Sequence, residues 1–279
     1  MSMADRDGNR KVREATWAGI FYDDDPTQLS RDVDGLLERA SGRGPSEARA
    51  ILSPHASLEY SGDLAALAWS ACKDRRISRI VILGSWHRTT ETSLWLPESQ
   101  RFEGPFGSIE VDRRAVAELM DCGTFNVQSD LPHLEEHSIE VQLPFVSRLF
   151  PGAPIVPILV GRPSLALVKS LATSLDMVFG RRIAGTLLVV STDLEFAPSA
   201  EESAARSDRL IGLIDEGDWE LLAEEGAAGR LAACGITGIA ALLASGFAGR
   251  PRLLGRHGSG SARESEDDAH GEYAAIAFD

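Results

Sequence analysis

Two histidines and an aspartate stand where an α/β protein usually places its chemistry. His55 follows Ala50-Ile51-Leu52-Ser53-Pro54, and His87 follows Arg79-Ile80-Val81-Ile82-Leu83-Gly84-Ser85-Trp86. Asp193 follows Thr186-Leu187-Leu188-Val189-Val190-Ser191-Thr192. Each leading run is apolar and branched without alternation, the pattern of a strand buried on both faces of a parallel sheet. Ligands bind at the carboxyl ends of such strands because the following loops converge there. A pair of neutral imidazoles suits iron, copper or zinc and does not choose among them.

Other side chains could join them. The stretch from His133 to Phe150 is dense in polar groups: Glu135, Glu136, His137, Ser138, Glu140 and Gln142. His137, beside Glu136 and one turn before Glu140, fits two readings. One is a helix-start histidine in an exposed ion-pair network. The other is an acid–base group whose tautomer a carboxylate fixes. Asp193 can simply cap a turn. Cys234 can be a small buried residue; at a helix start, where the dipole lowers a thiol pKa, it can also be a thiolate or a metal ligand. Cys72 and Cys122 have no such setting and read as packing residues. His257 and His270 belong to or flank a polar, glycine-rich stretch, 258–271, expected to be mobile and solvated.

The elements that must position these groups follow from the periodicity. Residues 1–13 read as a flexible arm, and 14–279 as a single domain. Leu29, Val33, Leu36 and Leu37 recur at helical spacing after Asp23-Asp24-Asp25-Pro26. A second helix is expected over Asp63–Lys73. The stretch from Trp95 to Asp112 reads as short strands and a loop that covers a cleft. Pro144 should restart the helix that holds the polar cluster. Further strands are expected at Ile155–Val160, Arg252–Gly255 and Tyr273–Phe278, with an apolar helix over 236–245. Strand–helix alternation of this kind gives a three-layer α/β sandwich whose central sheet is mostly parallel or mixed.

Composition narrows the function classes. The 279 residues carry a formal charge of −14, with 43% hydrophobic and 25% charged residues. That balance lacks the basic face a nucleic-acid partner needs. No apolar run is long enough to span a bilayer, and no secretory leader pattern stands at the amino terminus. Three unpaired cysteines fit a reduced, cytoplasmic setting. There is no GxGxxG, P-loop, GxSxG or CxxC to support a nucleotide or serine-hydrolase reading. The partner expected is a small molecule; a homo-oligomer is left open.

Several segments, in order, resemble one family. They are Ala18-Gly19-Ile20-Phe21-Tyr22, Ser53-Pro54-His55-Ala56, Tyr60-Ser61-Gly62 and Ile82-Leu83-Gly84-Ser85-Trp86-His87, then Glu136-His137-Ser138-Ile139-Glu140-Val141-Gln142-Leu143-Pro144-Phe145, Pro157-Ile158-Leu159-Val160-Gly161 and Ala233-Cys234-Gly235. They are similar to those of the MEMO family over nearly the whole chain. The resemblance implies a fold related to class III extradiol ring-cleaving dioxygenases. It implies a pocket that holds Fe(II) or copper through His55, His87 and Cys234, with His137 and Asp193 lining it in catalytic roles.

The chain departs from the family pattern at Phe196, where a histidine is usual, at Ser85-Trp86, which replaces Pro-Ser, and at Ser57-Leu58, which replaces Gly-Tyr. Trp86, Phe196 and Tyr60 are accordingly expected at the substrate. Two functions compete: a non-haem Fe(II) dioxygenase acting on a small aromatic molecule, its third ligand the Cys234 thiolate or Asp193, and a non-catalytic metal-binding or interaction protein that keeps the fold.

Overall fold

The computed structural model of the chain describes residues 11–42, 47–123, 125–258 and 270–279. Its strands are β1 (Val12–Arg13), β2 (Ala50–Ser53), β3 (Arg79–Ser85), β4 (Leu94–Leu96), β5 (Arg101–Gly104), β6 (Gly107–Glu110), β7 (Asn126–Gln128), β8 (Ile155–Val160), β9 (Thr186–Ser191), β10 (Phe196–Ala197), β11 (Pro251–Gly258) and β12 (His270–Phe278). Its helices are α1 (Pro26–Ala40), α2 (Leu58–Ser70), α3 (Arg113–Cys122), α4 (Leu131–Glu135), α5 (Leu143–Leu149), α6 (Leu165–Phe179), α7 (Ala200–Glu216), α8 (Trp219–Ala227) and α9 (Ile236–Ala244).

The main sheet runs β10-β12-β2-β9-β3-β8-β4-β7, with β11 paired to β12. Its centre, β2-β9-β3-β8, is parallel, and its flanks bring in antiparallel pairs. Every residue of β2, β8 and β9 is buried, which explains why their sequences do not alternate. Layering follows from the pleat. Leu83 and Val190 are register partners and therefore share a face, and a Cβ placed on Gly238 of α9 would touch both. Gly84, the next residue, faces the other way, and a Cβ there would strike Ile139 and Ser138. Helix α9 thus covers one face of the sheet, and the 138–139 segment covers the other. The expected three-layer α/β sandwich is what the chain forms.

This order makes neighbours of the three strands that end in His55, Asp193 and His87. Ser53 pairs with Ser191, and Leu83 with Val190, so the carboxyl ends of β2, β9 and β3 lie level.

Some boundaries differ from expectation. Arg13 is not part of a loose arm: it lies in β1 at 1% exposure, and residues 1–10 lie outside the described residues. Helix α2 starts earlier, at Leu58, with Ser57 in the N-cap position and Glu59 placing a negative charge in its first turn. Pro144 does restart a helix, standing in the first turn of α5. Strands β5 and β6 do not cover a cleft but join β1 in a separate three-stranded sheet. The expected mobile stretch falls mostly at 259–269, outside the described residues, and the positions flanking it are strand. His257, expected to be solvated, is in β11, where Nε2 lies 3.2 Å from Asp63 Oδ1.

Candidate functional site

Above the level ends of β2, β9 and β3 the imidazoles of His55, His87 and His137 meet. One ring nitrogen from each lies within 4.8 Å of the other two. His55 is edge-on to both others, with ring centroids 5.1 Å from His87 and 5.3 Å from His137. His87 and His137 stack nearly parallel, 5.1 Å apart.

Hydrogen-bond partners decide which nitrogens face inward. Glu136, a buried carboxylate, sits 3.0 Å from Nδ1 of His87 and 3.0 Å from Nδ1 of His137. It also accepts the backbone N–H groups of His87, His137 and Ser138. A carboxylate can only accept, so both rings carry a proton on Nδ1, and in its neutral form each ring presents a bare Nε2.

His55 is set by a longer chain. Trp69 Nε1 donates to Gln142 Oε1 at 2.8 Å, which fixes the amide so that its Nε2 donates to Pro54 O and to Ser191 Oγ. Ser191 spends its one hydrogen on Ser138 O at 2.6 Å. Its remaining lone pair faces His55 Nδ1 at 3.1 Å and can only accept, so His55 too is protonated on Nδ1. With the rings neutral, three Nε2 lone pairs converge.

The electrostatics follow. Burial works to raise the Glu136 pKa, but its bonds to His137 and His87 outweigh that and hold the carboxyl well below the usual range. Burial works to lower the His87 pKa, but Cys234 and Glu136 outweigh it and lift His87 to about 9. In His137 burial wins, helped by the neighbouring imidazoles, and its pKa falls.

Cys234 stands at the edge of the cluster. Its Sγ is 3.3 Å from His55 Nε2 and accepts the Asp193 N–H at 3.3 Å. Gly235, next in the chain, must be glycine: a Cβ there would come within 2.4 Å of Thr192. Asp193 holds the loop that follows β2. Oδ1 accepts the N–H groups of His55 and Ala56, and Oδ2 lies 3.9 Å from His55 Nε2.

These groups open into a cavity of about 540 Å³, within the range of about 300–1,000 Å³ usual for small-molecule sites. Ile20, Phe21, Tyr60, Phe196 and Tyr273 supply its apolar lining, and no arginine or lysine is among its described lining residues. Phe196 lines it as expected and packs edge-on to Tyr273 at 6.1 Å; Tyr60 lines it too. Trp86 does not. It is pinned edge-on against Trp95 at 4.5 Å and lines a neighbouring cavity of about 270 Å³ that shares His87, Ala232 and Cys234 with the first.

The sequence reading missed the chain Trp69–Gln142–Ser191, and it missed Phe21, which stacks on His137 at 4.1 Å. The only signal for these was that fully buried polar side chains must find partners.

Residues 13–276 match the family model described as Memo-like protein. The chain belongs to the Memo-like family. A MEMO1 family protein of Thermotoga sp. (strain RQ2) is 29% identical over 95% of this chain and 99% of its own length. A MEMO1 family protein of Aeropyrum pernix is 32% identical over 90% of this chain and 94% of its own. Protein MEMO1 of Xenopus laevis is 34% identical over 66% of this chain and 63% of its own. This Memo-like protein therefore carries a three-histidine cluster fit to hold a metal ion. Among its described residues no helix is long and apolar enough to cross a membrane.

Proposed function

We propose that this Memo-like protein is a non-haem, metal-dependent oxidoreductase, with Fe(II) as the resident ion, acting on a small uncharged aromatic molecule. The observation that carries the reading is the convergence of three imidazole Nε2 atoms and the Cys234 sulfur in one cavity with an aromatic rim. His55, His87 and Cys234 would hold the ion. The 3.3 Å between Sγ and His55 Nε2 suits two donors sharing one centre, and the thiolate supplies the negative charge that imidazoles lack. What bound Fe(II) would supply is open coordination positions at which an oxygenase brings a substrate and dioxygen together.

The chain's own residues do the rest. Phe196, Phe21 and Tyr273 give a planar molecule aromatic faces, worth about 0.5–1.5 kcal/mol per pair beyond area burial. Among the described lining residues no lysine or arginine offers a carboxylate or phosphate a fork or ammonium to pair with, which favours an uncharged phenol. His137, its Nδ1–H held by Glu136, keeps Nε2 free to take a substrate proton.

His137 is also the rival third ligand, and metal analysis separates the roles. Cys234→Ser should weaken metal binding by about 10²-fold or more, beyond what loss of an outer partner costs. His137→Ala should keep the metal and lower turnover by about 10²-fold. If His137→Ala loses the metal while Cys234→Ser keeps it, the two assignments exchange.

The second reading, a metal-binding protein without catalysis, draws on Phe196. Where the resembled family has a histidine, this chain puts an aromatic ring with nothing to titrate into the cavity wall.

A further inference from the structure

We infer that Glu195 is the positioning residue for Cys234: its carboxylate fixes the backbone of the loop that brings the sulfur beside His55. The inference rests on the reading of Cys234 as a ligand. Glu195 is fully buried. Both of its carboxylate oxygens accept the Ala232 N–H at 2.9 Å, and Oε1 also accepts the Ala233 N–H at 3.0 Å. These are the two amides immediately before Cys234, in the connection from α8 to α9, where no helix or strand ladder supplies them with partners.

The glutamate is itself anchored. Its carbonyl accepts Ser203 Oγ at 2.8 Å and the Glu272 N–H of β12 at 2.9 Å. Beyond the cysteine, the Gly235 N–H donates to Thr192 Oγ1 at 2.9 Å. Cys234 is therefore clamped on both sides by one stretch, 192–195, which also carries Asp193. A buried carboxylate is costly unless its hydrogen bonds are met, and the loop ending in Cys234 is what meets those of Glu195. Neither residue type nor spacing marks Glu195 as part of a site; only the fold brings it there.

The test uses Co(II) as a spectroscopic probe on the full chain, in wild type and Glu195→Gln. Wild type should show the near-ultraviolet thiolate-to-cobalt charge-transfer band. In the variant an uncharged amide replaces the carboxylate, and its NH₂ stands where Oε2 accepted the Ala232 N–H. The band should then fall away and Co(II) affinity should drop by about 10–100-fold, with the far-ultraviolet circular dichroism unchanged. In parallel, metal-free protein is labelled with iodoacetamide and Cys234 is followed by peptide mass spectrometry. Its labelling should quicken by about tenfold in the variant, as for a locally released loop.

A variant with the wild-type band and labelling rate overturns the inference. If wild type shows no charge-transfer band yet labelling of Cys234 quickens in the variant, the ligand reading fails and the positioning role stands. Should Glu195→Gln not fold, hydrogen exchange in wild type decides. Slow exchange of the Ala232 and Ala233 amides supports the clamp, and exchange at the rate of an open loop overturns it.

Discussion

Replacing His55 by Ala is expected to abolish stoichiometric metal binding, and His87→Ala should do the same. Each removes an Nε2 that hydrogen bonds on the far side of the ring have turned inward, His55 through Ser191 and His87 through Glu136. Mutating a partner outside the first sphere typically costs about 10–100-fold in metal affinity, so loss of a ligand should exceed that. His257→Ala is the control. His257, on β11, pairs with Asp63 of α2 and does not line the cavity, so metal content should stay at the wild-type level. The check is metal analysis after dialysis, with circular dichroism to confirm that the variants fold. Full occupancy in His55→Ala would remove that residue from the ligand set.

The largest expected effect on stability lies outside the histidines. Arg13 and Glu140 form an ion pair at 1% and 0% side-chain exposure. Glu140 also accepts the Trp17 N–H at 2.9 Å and the Tyr22 hydroxyl at 2.5 Å. Burial, then the Glu140 charge, drives the Tyr22 pKa upward, so its hydroxyl keeps the proton it donates. Together these bonds tie residues 13–22 to the segment that carries His137, and with them Phe21, the ring stacked on it. Glu140→Ala would leave the Arg13 guanidinium buried without its counter-charge, a change that costs about 3–5 kcal/mol. Against a domain stability of about 5–15 kcal/mol that is a large share. Chemical denaturation should show the drop. Replacing both partners with apolar residues, Arg13→Met with Glu140→Leu, should cost less than the two single changes added together. A loss below about 1 kcal/mol in Glu140→Ala would mean that solvent screens the pair.

Much of this site was legible before the fold. The unalternating runs before His55, His87 and Asp193 identified buried strands and placed the three residues at their ends. That those strands lie side by side is a matter of strand order, which the local pattern does not contain. Cys234 came mainly through its likeness to the family, because a lone cysteine at a helix start has no spacing signal of its own.

Arg13 was misjudged because it ends a charged, polar stretch, and the partner that buries it is 127 residues away. Trp86 was misplaced for a related reason. A large aromatic beside a ligand suggests a pocket wall, but it goes to whichever apolar surface covers more of it, here Trp95. Gln142 and Glu195 show the same limit: a buried polar residue announces itself only when its partners are in view.

Oxygen uptake tests the central claim most directly. Protein loaded anaerobically with Fe(II) is mixed with uncharged catechols and aminophenols, and dioxygen consumption is followed alongside substrate loss. The account predicts substrate-dependent uptake in wild type, reduced about 10²-fold in His137→Ala at unchanged iron content. Fully loaded wild type that consumes no dioxygen with any of them would contradict the enzymatic reading and leave a metal-binding protein in its place.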